Sequence, residues 1–369
     1  MNWLLVFVPI TLWLEYFGPK HETLLFITSC LAILPLAGWL GHATEHIAAR
    51  AGQSIGGLLN ATFGNAAELI IALAALRKGL FDVVKASLTG SIIGNVLLVA
   101  GLAIFAGGLK FKIQRFGAVA ARTNSTLLLL ASFALVVPAA FHALAGPAGW
   151  PKERSLSFEI SVVLLLLYAA SLLFSLHTHK QIFESGAEEV ESHAHAKSWS
   201  LGKSVAVLAG ATVLIAWMSE ILVGSVEHAA RAFGMTPVFV GVIVVAIVGN
   251  AAEHSTAVLV ALKNKMDLSL GIAVGSSIQI ALFVAPVLVL ASYFIGPGPM
   301  DLVFTPAEVM AVVLSVWILT AICDDGESNW LEGAMLLGVY LILAIAFYFL
   351  PESAVNAGTP SLTPESAGH

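Results

Sequence analysis

Charged residues are scarce in this chain. Only 11% of its 369 residues are Asp, Glu, Lys or Arg, whereas 58% are hydrophobic and the mean hydropathy is +0.92. A soluble domain carries about a quarter charged residues, so this composition excludes a soluble globular protein and indicates a polytopic membrane protein. The net charge of −6 offers no basic footprint, and no nucleic-acid partner is expected.

Metal-ligating cysteines and histidines are also missing from the apolar runs. The two cysteines, Cys30 and Cys323, are far apart in the chain and have no metal-ligand spacing. No HExxH pair or histidine-rich ligand set stands inside an apolar run, which argues against an intramembrane metalloenzyme. The chain is therefore expected not to be an enzyme and to need no cofactor.

Long apolar runs, by contrast, recur along the whole chain. A helix needs about 20 residues to cross a bilayer, and no ten-residue alternation suggests a barrel, so the runs are expected to be helices. The opening "MNWLLVFVPI" lacks a basic segment, and we expect it to remain as a span rather than be cleaved. Eleven spans are predicted, at 3–17, 22–43, 54–76, 80–107, 120–142, 156–177, 203–224, 236–262, 266–293, 305–322 and 330–350.

The basic residues predict the orientation. Ten lie in loops on the N-terminal side and seven on the opposite side, which favours a cytoplasmic N-terminus. The acidic, histidine-rich linker 178–202 is then cytoplasmic; it could sense cations or pH, or simply be solvated. The tail 351–369 is expected to be disordered.

The pentapeptide "GNAAE" occurs twice, at 64–68 and 249–253. Residues 64–101 align with 249–286 without a gap, with 14 identities in 38 positions that include Lys78 with Lys263 and Asp82 with Asp267. Spans 2–6 and 7–11 then form two repeats of five helices, and an odd number of spans per repeat inverts one half relative to the other. Inverted repeats with a site near the membrane midplane are typical of secondary transporters.

Each "GNAAE" places a carboxylate deep inside a span. Glu68 is the only charged residue between Arg50 and Arg77, and only Glu253 and its neighbour His254 can carry charge between Arg231 and Lys263. An intramembrane carboxylate is costly unless it is protonated, paired or bound to a cation. A protonated glutamate hydrogen-bonded between helices would be the structural alternative, but a symmetric pair favours a functional site.

Oxygen donors surround this pair in the predicted arrangement. A helix break at the Gly-Asn steps would free carbonyls near Gly64 and Gly249. The "GS" segments on the following helices add hydroxyl and amide groups. The predicted metal ligands are Glu68, Glu253, Gly64, Gly249, Ser91 and Ser276, with Asn65, Asn250, Ser277 and Gln279 in a supporting polar network. Such an oxygen-only set suits calcium.

Charge balance predicts the transport mode. Two ionised glutamates neutralise one divalent cation, and two protons neutralise the same pair. An empty, doubly anionic site is disfavoured by desolvation and repulsion, so only loaded forms should cross between access states. Obligatory exchange of Ca²⁺ for H⁺ follows, with Glu68 and Glu253 carrying each ion in turn.

Other titratable residues flank the predicted site. Glu45, Glu220 and Glu227 could form the mouth of an ion path or a proton relay, or could be solvated near helix ends. His254 has Leu69 as its repeat counterpart; it could tune proton release or be a buried neutral histidine.

Together these residues resemble the calcium/proton antiporters of the cation/calcium exchanger superfamily. The resemblance rests on the two "GNAAE" segments, the "GS" helices, the acidic linker and "DGESNWLEG" near the end. It implies an all-α polytopic membrane protein of eleven transmembrane helices, divided into an extra N-terminal helix (1–21), a first repeat (22–177), the linker (178–202), a second repeat (203–350) and the tail (351–369). It also implies that Glu68 and Glu253 carry Ca²⁺ and protons, that the Gly64 and Gly249 carbonyls are ligands, and that Glu45, Glu220, Glu227, His254 and Gln279 belong to the polar network.

The site is not fully symmetric, because Gly94 stands where the second half has Gln279. The chain lacks the long N-terminal extension expected in plant members, which favours a prokaryotic plasma membrane. A sodium-coupled exchanger of the same fold is the nearest alternative. Additional carboxylates for sodium should then flank the main pair, but Ser91, Ser276 and Gln279 occupy those helices. A passive channel is a further alternative.

Overall fold

Nearly the whole described chain is helical. The structure is a computed structural model that describes residues 2–19, 21–51, 53–182 and 199–350. The α-helices in chain order are α1 Phe7–Tyr16, α2 Glu22–Ala51, α3 Gln53–Phe63, α4 Ala66–Arg77, α5 Phe81–Ile93, α6 Ala100–Lys110, α7 Ala118–Ala145, α8 Trp150–Leu173, α9 Leu201–Ala232, α10 Ala246–Ala261, α11 Met266–Gln279, α12 Ala285–Ser292, α13 Pro306–Ile322 and α14 Trp330–Phe349.

Short elements extend or join these helices. A 3₁₀ turn, Asn2–Val6, leads into α1, and the three-residue turn Pro237–Phe239 precedes the stretch before α10. Two strands of two residues each, β1 Gln114–Arg115 and β2 Glu327–Ser328, pair antiparallel; β1 follows α6 and β2 follows α13. Four π-helical segments continue the longer helices: Gly94–Val99, Phe174–Thr178, Val240–Val245 and Ile280–Val284. The π segments leave α5–α6, Pro237–Ala261 and α11–α12 as continuous rods.

Eight helical rods in the described ranges are long and apolar enough to cross a membrane. Two shorter apolar helices, Asn2–Tyr16 and Pro306–Ile322, match the first and tenth predicted spans. The predicted third span, 54–76, is not one rod but the two helices α3 and α4. Most of the predicted linker 178–202 and the whole predicted tail 351–369 lie outside the described residues.

Helices α2 and α9 pack side by side in opposite directions. The Glu22 carboxylate at the start of α2 lies 2.5 Å from His228 Nδ1 near the end of α9. At the other end, the Arg50 guanidinium donates to the Trp199 carbonyl just before α9 begins. Because each helix start contacts the other helix end, the two corresponding helices of the sequence repeat are antiparallel.

Burial separates a central layer from a peripheral one. In the most apolar 18-residue stretch of Phe81–Lys110 and of Met266–Ser292, 72% of the residues are buried inside the protein. The corresponding share is 17% for Trp150–Thr178 and 22% for α14. The exposed side chains of the outer helices include Leu166, Ile342 and Ile345, as expected for a surface in contact with lipid. The functional residues therefore have to be sought on the central rods and on α4 and α10, which contact them.

Candidate ion-binding site

The first "GNAAE" segment lies across a helix break. Helix α3 ends at Phe63, Gly64 and Asn65 form a turn, and α4 begins at Ala66, so Glu68 lies in the first turn of a new helix. Asn65 leaves the helical region, with φ −97° and ψ 24°. In the described residues no backbone amide donates to the Gly64 carbonyl, and the first backbone hydrogen bond of α4 runs from the Leu69 amide to the Asn65 carbonyl. The break thus leaves the Gly64 carbonyl without a helical hydrogen bond.

The second "GNAAE" segment has no such break. Gly249 to Glu253 lie inside the continuous helix α10, and the expectation of a break at both Gly-Asn steps is wrong for this one. The Asn250 amide donates to the Ala246 carbonyl one turn earlier at 2.9 Å, a bond within its own helix. The Asn65 side chain instead forms hydrogen bonds with Gln279 and Ser276 of α11.

The two segments face each other through their glycines. A Cβ placed on Gly64 would lie 3.4 Å from Glu253 Oε1, and a Cβ on Gly249 would lie 3.0 Å from Glu68 Cγ and 3.4 Å from its Oε1. Each carboxylate therefore lies against the glycine of the opposite repeat. The tertiary structure brings Glu68, Glu253, Gly64 and Gly249 together, although 185 positions separate the two motifs.

Three of the four carboxylate oxygens of this pair are buried without partners. Within the described residues, both oxygens of Glu68 and Oε2 of Glu253 have no hydrogen-bond donor. Buried polar groups are normally paired, and an unpaired carboxylate is especially costly. The lone pairs of a carboxylate can bind a proton or a cation, so the unpaired oxygens of Glu68 and Glu253 fit either one.

Neutral oxygens and amides form a network around the pair. Asn65 Nδ2 donates to Gln279 Oε1 at 2.6 Å, and Ser276 Oγ donates to Asn65 Oδ1 at 2.7 Å. The equivalent asparagine of the second motif, Asn250, donates through Nδ2 to Ser91 Oγ at 2.9 Å. These hydrogen bonds all join one repeat to the other. Asn95, which contacts both Asn250 and Ser276, links them into a single cluster. The predicted members of that cluster are Asn65, Asn250, Ser91, Ser276 and Gln279.

One member of this cluster was not predicted from the sequence. Asn95 is 1% exposed, and its side chain contacts Ser276, Asn250 and His254. The signal was present, because Asn95 is the only side-chain amide in the apolar stretch 81–110. It was missed because the repeat places Ile280 at the equivalent position, so the alignment did not mark it.

Four predicted residues lie apart from the cluster. Glu45 pairs with His42 at 3.3 Å, Glu220 with Arg77 at 3.2 Å, and Glu227 with Arg231 at 3.2 Å. These three side chains are one third to more than one half exposed. Ser277 is fully buried but donates to Ala273 of its own helix. The predicted network is therefore smaller in the structure than the residues assigned to it.

The charge of the site comes from two carboxylates alone. No three His, Cys, Asp or Glu side chains in the described ranges are grouped so that they could hold a metal ion. A cation bound here would be coordinated by Glu68, Glu253 and neutral oxygens. Hard cations such as Ca²⁺ accept carboxylate, carbonyl and hydroxyl oxygens together.

Comparisons with known proteins identify the family of the chain. Residues 21–177 and 203–349 match the family described as sodium/calcium exchanger protein. A Ca²⁺/H⁺ antiporter of Aphanothece halophytica is 47% identical, covering 94% of this chain and 96% of the relative. The Ca²⁺/H⁺ antiporter ChaA of Bacillus subtilis is 49% identical, covering 89% and 93%.

Solved structures lead to the same family. Native YfkE is 45% identical to this chain, with a TM-score of 0.81, covering 94% of this chain and 98% of YfkE. The H⁺/Ca²⁺ exchanger CAX, at 17% identity and a TM-score of 0.71, shares the fold. The resemblance to calcium/proton antiporters inferred from the paired motifs is confirmed. The chain belongs to the sodium/calcium exchanger protein family.

Proposed function

We propose that this protein is a secondary active antiporter that exchanges Ca²⁺ for H⁺ by alternating access. The observation that carries the proposal is the contact between the two motifs: each glutamate lies against the glycine of the other, and three of the four carboxylate oxygens are unpaired. The relatives that match nearly the full chain are Ca²⁺/H⁺ antiporters, which are transporters rather than enzymes.

Glu68 and Glu253 bind either one Ca²⁺ or protons. Ca²⁺ neutralises both carboxylates and completes its shell with oxygens of Gly64, Gly249, Ser91 and Ser276. Two protons neutralise the same carboxylates in the return step. The empty site would leave two like charges buried side by side, which is why neither half of the cycle proceeds without its ion.

The whole chain is proposed to form one peripheral helix (1–21) and two inverted five-helix repeats (22–177 and 203–350), eleven spans in all. The antiparallel α2 and α9 and the facing motifs support inversion. The N-terminus and the linker 178–202 are assigned to the cytoplasm by the distribution of basic residues. The protein is an integral membrane protein, and the bacterial relatives support a prokaryotic plasma membrane.

The test is Ca²⁺ uptake into proteoliposomes under an imposed pH gradient, with internal pH followed at the same time. Glu68→Gln and Glu253→Gln should each reduce both fluxes by at least about 100-fold, because removing one member of a buried charge set costs several kcal/mol. Glu159→Gln makes the same chemical change on an exposed position of α8 and should retain native flux.

Each alternative gives a different result in the same assay. Ca²⁺ flux that follows a sodium gradient and ignores pH would assign sodium as the coupling ion. Ca²⁺ current without any counter-ion would indicate a channel. Native flux in either glutamine variant would remove the carboxylate pair from the mechanism.

A further inference from the structure

Asn95 occupies a position that the fold does not require to be polar. It is the second residue of the π-helical segment Gly94–Val99, in the middle of a central rod, and is 1% exposed. Its repeat counterpart is Ile280, which is likewise buried at the start of a π-helical segment. An apolar side chain fills this position in one half, so the amide in the other half serves something other than packing.

Both ends of the Asn95 amide contact the opposite repeat. Asn95 Nδ2 lies 3.0 Å from Ser276 Oγ and 3.4 Å from Asn250 Oδ1, and Asn95 Oδ1 lies 3.1 Å from His254 Nε2. Since the amide nitrogen donates to two oxygens, its oxygen is the acceptor for His254, which places a proton on Nε2. The three partners lie on α10 and α11, whereas Asn95 belongs to the first half.

These contacts determine the direction of hydrogen bonds at the ion site. Ser276 Oγ accepts from Asn95 and donates to Asn65 Oδ1, so the hydroxyl proton points to the first "GNAAE" motif. Without the amide of Asn95, Ser276 and Asn250 would lose a common donor and His254 its acceptor.

We propose that Asn95 is a positioning residue for Ca²⁺ binding. Its amide holds His254, Asn250 and Ser276 in one arrangement, so that a residue of the first repeat organises the oxygen donors of the second. It acts through these partners rather than as a ligand itself. The inference rests on the proposed function, because it assumes that the cluster binds Ca²⁺.

The test copies the residues of the other repeat into this contact. Asn95→Ile introduces the residue type found at the equivalent position 280, and His254→Leu introduces the residue type found at the equivalent position 69. CaCl₂ titrations of the purified full-length protein by calorimetry give Kd for the two single variants and the double variant. Each single variant should weaken Ca²⁺ binding about tenfold, because each leaves a buried polar partner unpaired.

The double variant separates positioning from independent effects. If Asn95 and His254 act through one contact, the double variant should bind Ca²⁺ no more weakly than the worse single variant. A loss of about 100-fold, the product of the two single effects, would overturn the proposal, as would native affinity in Asn95→Ile. Should Asn95→Ile fail to fold, Asn95→Ser replaces it in the same cycle.

A general packing defect has a different signature. Asn95→Ile should raise Kd and KM while the flux at saturating Ca²⁺ stays within about twofold of native. A lower maximal flux with native Kd would show a merely structural role and contradict the proposal. Ser132→Ala is the matched control: this serine is 2% exposed on α7, and its hydroxyl donates to Leu129 of its own helix.

The calorimetric cycle does not depend on proton coupling. If the native protein binds Ca²⁺ but moves no protons, the antiport proposal fails while the cycle still decides the role of Asn95. If the cycle fails in a protein that exchanges Ca²⁺ for H⁺, only the role of Asn95 is overturned. A native protein that binds no Ca²⁺ would overturn both.

Discussion

The two "GNAAE" segments have the same sequence and different backbones. In the first half the helix breaks at Gly64 and Asn65, and Glu68 starts a new helix; in the second half Glu253 lies within an unbroken helix. The difference lies in the asparagine, since Asn65 bonds across to Gln279 and Ser276, whereas Asn250 also bonds to its own helix. Sequence identity between the halves therefore does not make the two carboxylates equivalent.

The residues around each motif increase this asymmetry. The second half contributes His254 and Gln279, whose counterparts are Leu69 and Gly94, and the first contributes Asn95, whose counterpart is Ile280. The carboxylates are duplicated, while the polar groups around them differ. We expect both halves to be needed for ion binding but to respond differently to the same substitution.

The largest difference is expected between the two glycines. A methyl group at Gly64 would lie 2.8 Å from the Asn60 carbonyl, a backbone atom, whereas at Gly249 it would lie 3.0 Å from the Cγ of Glu68. Gly64→Ala should therefore destabilise the protein, by about 1–3 kcal/mol as in overpacked sites, and reduce flux. Gly249→Ala should leave stability near native and weaken Ca²⁺ binding about tenfold, because it displaces the Glu68 side chain.

Thermal unfolding and Ca²⁺ titration of both variants measure this contrast. Gly210→Ala is the control, since Gly210 lies within α9 with nothing within 4 Å of its Cβ position. It should be neutral or slightly stabilising, as alanine favours helix more than glycine. Equal effects of Gly64→Ala and Gly249→Ala on both quantities would show that the two motifs are equivalent after all.

A smaller difference is expected between the two asparagines. Asn65→Ala removes two hydrogen bonds to the opposite repeat, and the KM for Ca²⁺ should rise about tenfold. Asn250→Ala removes the bond to Ser91, the longer 3.4 Å contact with Asn95 and one bond within its own helix, and the KM should rise about threefold. Initial rates of Ca²⁺ uptake over a concentration series give both values. A larger rise in KM for Asn250→Ala than for Asn65→Ala would contradict this prediction.

The smallest effects are expected at the predicted residues that lie outside the cluster. Glu45→Gln, Glu220→Gln and Glu227→Gln each break a partly exposed ion pair, which is worth about 0–1 kcal/mol. The KM for Ca²⁺ should change by less than about twofold in each, measured beside Glu159→Gln as the reference. A tenfold change in any of them would place that glutamate on the ion path, as the sequence resemblance implied.

Much of the site could be predicted because the repeat carries local information. A carboxylate inside an apolar run is visible without any contact, and its repetition at the same place in the alignment marks Glu68 and Glu253 together. Ser91 and Ser276 followed from the same alignment, and Gln279 from its place on the second "GS" helix. Asn95 did not, because its importance comes from contacts with α10 and α11 that no spacing within its own helix reports.

The sequence by itself determined that the chain lies in a membrane, roughly where its apolar helices lie along the chain, and which motif is duplicated; α2 and α9 each continue eight residues past the end of their predicted spans. Hydropathy and repetition are local properties, and a helix in lipid satisfies its backbone within its own segment. Only the tertiary structure decided which "GNAAE" breaks, which amides meet across the repeats, and which glutamates pair with basic residues at a distance from the site. Those outcomes depend on which side chain competes for each buried hydrogen bond, and the competitors are more than 150 residues apart in the chain.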